Sequence, residues 1–262
     1  MSMVHIRHLS FGYPGKPLLF DNFSLEIEKG ESWVIIGPSG CGKSTLLSLM
    51  AGLKRPRQGS IEVEGKQLQR PRPESGLVFQ DHGLLPWATI RANVSLGLRI
   101  RRFYGSDGRH TPAKWQNGNE KPQAETMDLW LQRLGLAGKE HCYPAQLSRG
   151  QRQRAAIART LLMEPDLLLM DEPFSALDPP IREELQELMA GLGRTQAITR
   201  ITVTHDIPEA VILGEKILVT TLKVNRAPTI LANPLAKDEK PRNHYGFNKM
   251  CQRVRQAMGE ST

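Results

Sequence analysis

Residues 33–45 read Trp33-Val34-Ile35-Ile36-Gly37-Pro38-Ser39-Gly40-Cys41-Gly42-Lys43-Ser44-Thr45, an apolar run that ends in the pattern G-x-x-x-x-G-K-[ST]. A buried strand delivers the chain into a glycine-rich turn whose backbone N–H groups converge on phosphate oxygens. The helix that follows opens with its positive dipole end at the same point. Lys43 is placed to reach the β- and γ-phosphates, and Ser44 to offer its hydroxyl to Mg²⁺. The stretch points to a chain that binds a nucleoside triphosphate.

On the N-terminal side, apolar and polar residues alternate through Val4, Ile6 and Ser24-Leu25-Glu26-Ile27, with breaks at Gly12, Gly15 and Gly30. This predicts short antiparallel strands joined by turns, as does Ser60-Ile61-Glu62-Val63 before Gly65. A helix from Ser44 should stop at Gly52. Gly76-Leu77-Val78-Phe79 reads as a strand ending at Gln80, and from about Ile90 to Leu147 the pattern turns helical. Within it, Gly105 to Pro122 is rich in Gly, Asn, Pro and charge, which predicts a mobile surface loop. Leu147-Ser148 then caps a basic helix to about Met163, and Leu167-Leu168-Leu169-Met170 is a buried strand ending at Asp171. A helix from Pro179 to about Gly193 and strands at Ile201–Val203 and Lys216–Thr220 complete an alternating β/α series, which implies a parallel sheet.

A chain of 262 residues can build one large α/β domain, burying about 70–75% of the unfolded surface without a disulfide or metal staple. Cys41, Cys142 and Cys251 are odd in number and far apart, a pattern suited to a reducing compartment and unsuited to zinc. Cys41 has two readings: a thiol activated among loop amides, or a small inert filler. With no apolar run of membrane-spanning length and no signal-like N-terminus, a soluble, non-exported chain is expected. The formal charge is +8, and Thr221 to Thr262 holds eight Lys/Arg against three Asp/Glu. That excess fits nucleic acid, an anionic membrane surface, or a simply solvated basic face.

A triphosphate site needs an acid to hold Mg²⁺ and a base to orient water. The acidic pair Asp171-Glu172 at the end of a buried strand supplies both, with Asp171 toward the metal and Glu172 toward the attacking water. Gln80 can offer a carbonyl oxygen to Mg²⁺ and an amide to water. His205, at another strand end, can donate a hydrogen bond to the γ-phosphate and hold Glu172 and water in line.

Leu147-Ser148-Arg149-Gly150-Gln151-Arg152-Gln153-Arg154 resembles the signature motif of ATP-binding cassette (ABC) proteins, and the other motifs fall into that family's order. By this resemblance Tyr13 stacks on adenine, Gly37, Pro38, Ser39, Gly40, Cys41, Gly42, Lys43, Ser44 and Thr45 form the Walker A loop, and Gln80 is the Q-loop glutamine. Leu167–Glu172 resembles Walker B, Ser175–Asp178 the D-loop, and His205 the switch histidine. The implied fold is an α/β P-loop NTPase with a RecA-like parallel-sheet core, an N-terminal antiparallel β subdomain and an inserted α-helical subdomain. One ATPase domain would span residues 1–220, with the helical part at about 88–163 and an insertion at about 105–122. A strand and a basic helical tail would follow at 221–262.

The resemblance further implies ATP and Mg²⁺ as ligands and a head-to-tail pair of copies. Each ATP would lie between the Walker A loop of one copy and Ser148, Gly150 and Gln151 of the other. The family usually has glycine where this chain has Arg149; if that backbone needs φ > 0, arginine costs about 1 kcal/mol there. Val78-Phe79-Gln80-Asp81-His82-Gly83-Leu84-Leu85-Pro86-Trp87, with Asn93-Val94 and Leu96-Gly97-Leu98, resembles importer ATPases for nitrate, sulfonates, taurine and related small anions or thiamine precursors. That implies docking on two transmembrane permease subunits at the inner face of the membrane, a periplasmic or lipid-anchored solute-binding protein, and no direct nucleic acid. An exporter subunit and a soluble nucleic-acid-associated cassette ATPase stand as alternatives.

Overall fold

The structure, a computed structural model, describes residues 1–104, 120–175, 177–195, 198–238 and 240–259. In chain order the first elements are β1 (Ser2–Phe11), β2 (Phe20–Glu28), β3 (Ser32–Ile36), α1 (Lys43–Met50), β4 (Gln58–Val63), β5 (Lys66–Gln67) and β6 (Ser75–Val78). There follow α2 (Ile90–Val94), α3 (Leu96–Tyr104), α4 (Glu120–Arg133), α5 (Arg149–Leu161), β7 (Leu167–Asp171) and α6 (Pro179–Thr195). The chain continues through β8 (Thr199–Thr204), α7 (Ile207–Leu213), β9 (Lys216–Val219), β10 (Thr229–Ala232) and α8 (Phe247–Ala257). It divides into two compact units. The first comprises Met1–Arg72, Leu167–Glu172 and Gln186–Thr262, the second Pro73–Asp166 and Pro173–Leu185.

The first unit holds two sheets. In the N-terminal one the order is β2-β1-β4-β5, all neighbours antiparallel. Strand β2 alternates buried and exposed residues because one face meets the core and the other does not, whereas in β1 register shifts break the alternation. In the second sheet β10, β9, β3, β8 and β7 are neighbours in that order, and β3, β8, β9 and β7 run parallel. All five residues of β3 and all six of β8 are buried; β3 accordingly reads as a near-continuous apolar run, whereas β8 sets Ile201 and Val203 among buried threonines and Arg200. The expected parallel sheet needs one correction: β10 pairs antiparallel with β9. The link between them carries no crossover helix, and only an antiparallel neighbour can be reached that way.

The parallel order sets the function-bearing edge. Strands β3, β8 and β7 lie side by side, and their carboxyl ends lead into Gly37, His205 and Glu172 respectively. Helix α1 stops where the glycine predicts, since Gly52 adopts φ 73° and the N–H of Leu53 returns to the Ser48 carbonyl. Helix α7, which the sequence pattern did not suggest, starts at once after His205. Asp206 caps it by accepting from the Glu209 N–H at 2.7 Å.

In the second unit α5 is the central element, packing against β6, α2, α3 and α4. The loop expected at 105–122 is corrected at its end: residues 120–122 belong to the first turn of α4, where proline removes no helix hydrogen bond. Residues 105–119 of that expectation lie outside the described residues.

Candidate functional site

The Walker-type loop is built by exclusion of side chains. A Cβ on Gly37 would stand 2.4 Å from the Thr220 carbonyl oxygen, so the loop passes closer to the end of β9 than any other residue permits. Gly42 takes φ 101° as the N-cap of α1, a left-handed turn that aims the helix start at the loop's concave side. Thr220, fully buried, donates to the Ile36 carbonyl at 3.1 Å and meets Cys41 Sγ at 3.0 Å. Cys41 is itself buried, which matches the packing role among its two readings. Asn225 Nδ2 adds contacts to the Leu19 and Thr221 carbonyls. Sequence reasoning missed Thr220 and Asn225; the one signal for Thr220 was a polar residue directly after the apolar run Ile217-Leu218-Val219, and Asn225 had none.

Lys43 is buried, and its ammonium donates to the Gly37 carbonyl at 2.8 Å and the Pro38 carbonyl at 3.0 Å. It is thus held over the loop's own rim. Ser44 Oγ donates to Asp171 Oδ1 at 2.9 Å, joining the start of α1 to the end of β7. Burial raises the Asp171 carboxyl above the ordinary carboxylate value and the Glu172 charge raises it further, while the Ser44 hydrogen bond and Lys43 oppose them. A hard-oxygen pair of this kind, with an acid short of compensating positive charge, suits Mg²⁺.

Glu172 follows β7 with φ 47°, a left-handed backbone that a non-glycine residue adopts at a cost of about 1–3 kcal/mol. Its N–H still reaches the Val203 carbonyl at 2.9 Å, so the strand pairing holds the turn in place. The side chain meets His205, Oε1 to Nδ1 at 3.1 Å. Thr204 Oγ1, accepting from the Asp206 N–H at 3.1 Å, fixes the turn that carries the imidazole.

Tyr13 lies in the connection between β1 and β2 with its hydroxyl 3.1 Å from Thr45 Oγ1. Phe11 meets its ring edge-on at 5.4 Å, and Lys54 Nζ stands 5.2 Å from the ring centroid. Lys54 was not anticipated. The structure brings Tyr13, Gly37 to Thr45, Asp171, Glu172 and His205 together in the first unit.

Gln80, Ser148, Gly150 and Gln151 belong to the second unit. Gln80 is exposed in the turn after β6. Ser148 caps α5 in a reciprocal capping box: its hydroxyl accepts from the Gln151 N–H at 3.2 Å, and Gln151 Oε1 accepts from the Ser148 N–H at 3.0 Å. Arg152 holds the preceding loop by donating to the Leu147 carbonyl at 2.8 Å. Arg149 is the first residue of the right-handed helix, exposed, so the condition of a positive φ is not met there and its cost does not arise.

A strand–loop–helix phosphate cradle beside an acidic strand end defines a P-loop nucleoside triphosphatase. Residues 20–175 match the ABC transporter family model, and the chain belongs to that family as an ATP-binding ATPase. Among its relatives, the taurine import ATP-binding protein TauB of Escherichia coli K12 is 43% identical over 217 residues, covering 82% of this chain and 78% of that protein. The TauB of Shigella dysenteriae is 42% identical over 225 residues, covering 86% and 82%. Among solved structures, the dimeric bacterial ABC transporter cassette MJ0796 aligns with TM-score 0.75 at 28% identity, covering 88% of this chain and 98% of that one. The same cassette in a post-hydrolysis state bound to ADP and Pi gives TM-score 0.71, with the same identity and coverage. CbiO1 of Clostridium perfringens, part of the complex cbiONQ, gives 0.72 at 25% identity, covering 98% and 96%.

Proposed function

We propose that this chain drives uptake of a small sulfonate-like anion, taurine or a close analogue, as the paired ATPase subunit of an importer. Two copies close head to tail, each offering Ser148, Gly150 and Gln151 at the start of α5 to the γ-phosphate held by the other's Gly37–Thr45 loop. The pair seats on two membrane-spanning permease subunits at the inner face of the membrane, and a solute-binding protein outside delivers the anion. The chain attaches peripherally, in keeping with the finding that, among the described residues, no helix is long and apolar enough to cross a membrane.

The observation that carries the hydrolytic part is the Glu172–His205 contact at the carboxyl edge of β7 and β8. The Glu172 carboxylate takes a proton from the attacking water, whose oxygen bonds to the γ-phosphorus as the bond to the β,γ-bridging oxygen breaks, leaving ADP and phosphate. His205 orients that carboxylate through Nδ1 and turns its other ring nitrogen toward the transferring group. Lys43 neutralises phosphate oxygens. Ser44 and Asp171 would hold Mg²⁺, which when bound neutralises charge on the phosphates.

The solute class is supported by the identity to the TauB proteins. The permease seat is supported by the segment after Gln80, where Trp87 is 74% exposed beside half-buried Leu84 and Leu85. Deleting the gene should abolish growth on taurine as sole sulfur source and uptake of labelled taurine. The wild-type gene should restore both, and one encoding Glu172→Gln should restore neither. Undiminished uptake in the deletion strain would overturn the solute assignment.

A further inference from the structure

Residues 81–89 form neither helix nor strand, yet their backbone is pinned from two sides. From α5, Arg159 spreads its guanidinium across consecutive carbonyls, Nη1 donating to Gly83 at 2.6 Å and Nη2 to His82 at 2.9 Å. From α2, the fully buried Asn93 donates through Nδ2 to the carbonyls of Leu85, Ala88 and Thr89 at 3.1, 2.9 and 3.0 Å. Its Oδ1 accepts from the Leu85 N–H at 2.7 Å. A side-chain amide so placed does for a loop what a neighbouring strand does for a sheet edge.

We infer that Arg159 and Asn93 are positioning residues that turn the 82–89 segment into a rigid bracket between the permease seat and the ATP-contacting start of α5. The inference rests on the proposed seating of a permease on Leu84–Trp87. An unpinned loop would absorb a partner's displacement in its own φ/ψ angles. A pinned one passes it to α5, whose N-cap Ser148 lies about 16 Å from Arg159 at 1.5 Å per residue. Arginine suits the task because its planar fork fixes two acceptors at once, whereas a lysine ammonium would act as a single point. Neither residue is among the groups proposed for hydrolysis.

The test compares Arg159→Gln, Asn93→Ala and Arg159→Lys with the wild type, first as isolated chain and then in complex with its co-purified membrane subunits in liposomes. Amide hydrogen exchange of 82–89 should quicken at least tenfold in Arg159→Gln and Asn93→Ala, with Arg159→Lys between them and the wild type. Basal ATPase turnover of the isolated chain should stay within twofold. Stimulation of kcat by the membrane subunits should fall at least fivefold with KM for ATP unchanged.

The inference is overturned if stimulation survives in a chain whose segment exchanges fast, or if basal and stimulated turnover fall together, which marks a fold defect. Arg159→Lys, the mildest change, keeps the test open should the others fail to fold. A wild-type complex that shows no stimulation removes the permease seat itself, and the bracket with it; stimulated variants beside a stimulated wild type sink the bracket alone.

Discussion

His205 Nδ1 and Glu172 Oε1 stand 3.1 Å apart at the ends of adjacent parallel strands. Neither side chain could reach the other from a non-neighbouring strand, so sheet order itself assembles the pair. Glu172→Gln removes the proposed proton acceptor while keeping size and hydrogen-bonding capacity. Turnover should fall about 10²- to 10⁴-fold. ATP affinity should hold, because Lys43 and the loop amides are untouched. Phosphate-release kinetics beside nucleotide titration checks both, and normal turnover removes Glu172 from the role of base.

Asp171 and Ser44 meet at 2.9 Å, and burial raises the Asp171 carboxyl against the pull of Ser44 and Lys43. A carboxyl so raised holds its proton to higher pH in the folded chain than in the unfolded one. Acid therefore costs this group no stability, and the destabilisation it brings is fully present once pH exceeds its folded value. Asp171→Asn should accordingly keep or raise the urea midpoint at neutral pH. The same change should weaken the Mg²⁺ dependence of ATP binding by at least tenfold in titrations with and without chelator. A lowered midpoint with unchanged Mg²⁺ dependence would show a merely structural acid.

The loop, the acidic strand end and the signature helix were legible because each sets a local pattern: glycines where side chains cannot fit, apolar runs where both sheet faces are covered, a capping residue at a helix start. Gly37 and Ser148 are of that kind. Thr220 and Asn225 were not legible as loop contacts, because they reach Ile36 and Cys41 from almost two hundred residues away in sequence and nothing local marks such a contact. The same holds for β10, whose direction follows from the absence of a crossover helix, and for the short α7, whose apolar residues fit either period. The backbone at Arg149 needed coordinates, since sequence supplies only a family habit and the helix dihedrals decide.

Gly37→Ala should be strongly destabilising. Its new Cβ would meet the Thr220 carbonyl at 2.4 Å and Thr220 Oγ1 at 2.5 Å, and the first of these is backbone that cannot rotate away. Overpacking of this kind costs about 1–3 kcal/mol. The urea midpoint should drop accordingly and nucleotide affinity with it. Thr220→Ala added to Gly37→Ala removes only the hydroxyl clash and should recover part of the loss; complete recovery would contradict the backbone contact.

Arg149→Gly restores the residue type usual in the family at this place. Since Arg149 already occupies the first turn of α5 without left-handed strain, glycine relieves nothing and gives up helix propensity. Stability should fall slightly, by no more than about 1 kcal/mol. ATP-driven pairing, followed by light scattering in the Glu172→Gln background, should change mainly in its salt dependence. A clear gain in stability would mean that the helix start is strained after all.

His82 links that helix to the turn beyond Gln80. The residue is 7% exposed, its Nδ1 has no hydrogen-bond partner among the described residues, and Arg159 clamps its carbonyl. Burial holds its pKa below the ordinary imidazole value of 6.5, with Arg152 and Arg149 pushing the same way and Asp81 opposing them. Between the folded and unfolded pKa values the unfolded chain binds the extra proton, so stability rises with pH through that window and is complete above 6.5. Acidification from pH 7.5 toward 5.5 should therefore lower the urea midpoint of the wild type more than that of His82→Gln, which cannot titrate. Arg149→Gly, by removing one of the cations that disfavour imidazolium, should fall between them. Equal pH slopes in all three chains would mean that His82 titrates alike folded and unfolded, and that its burial is open to water.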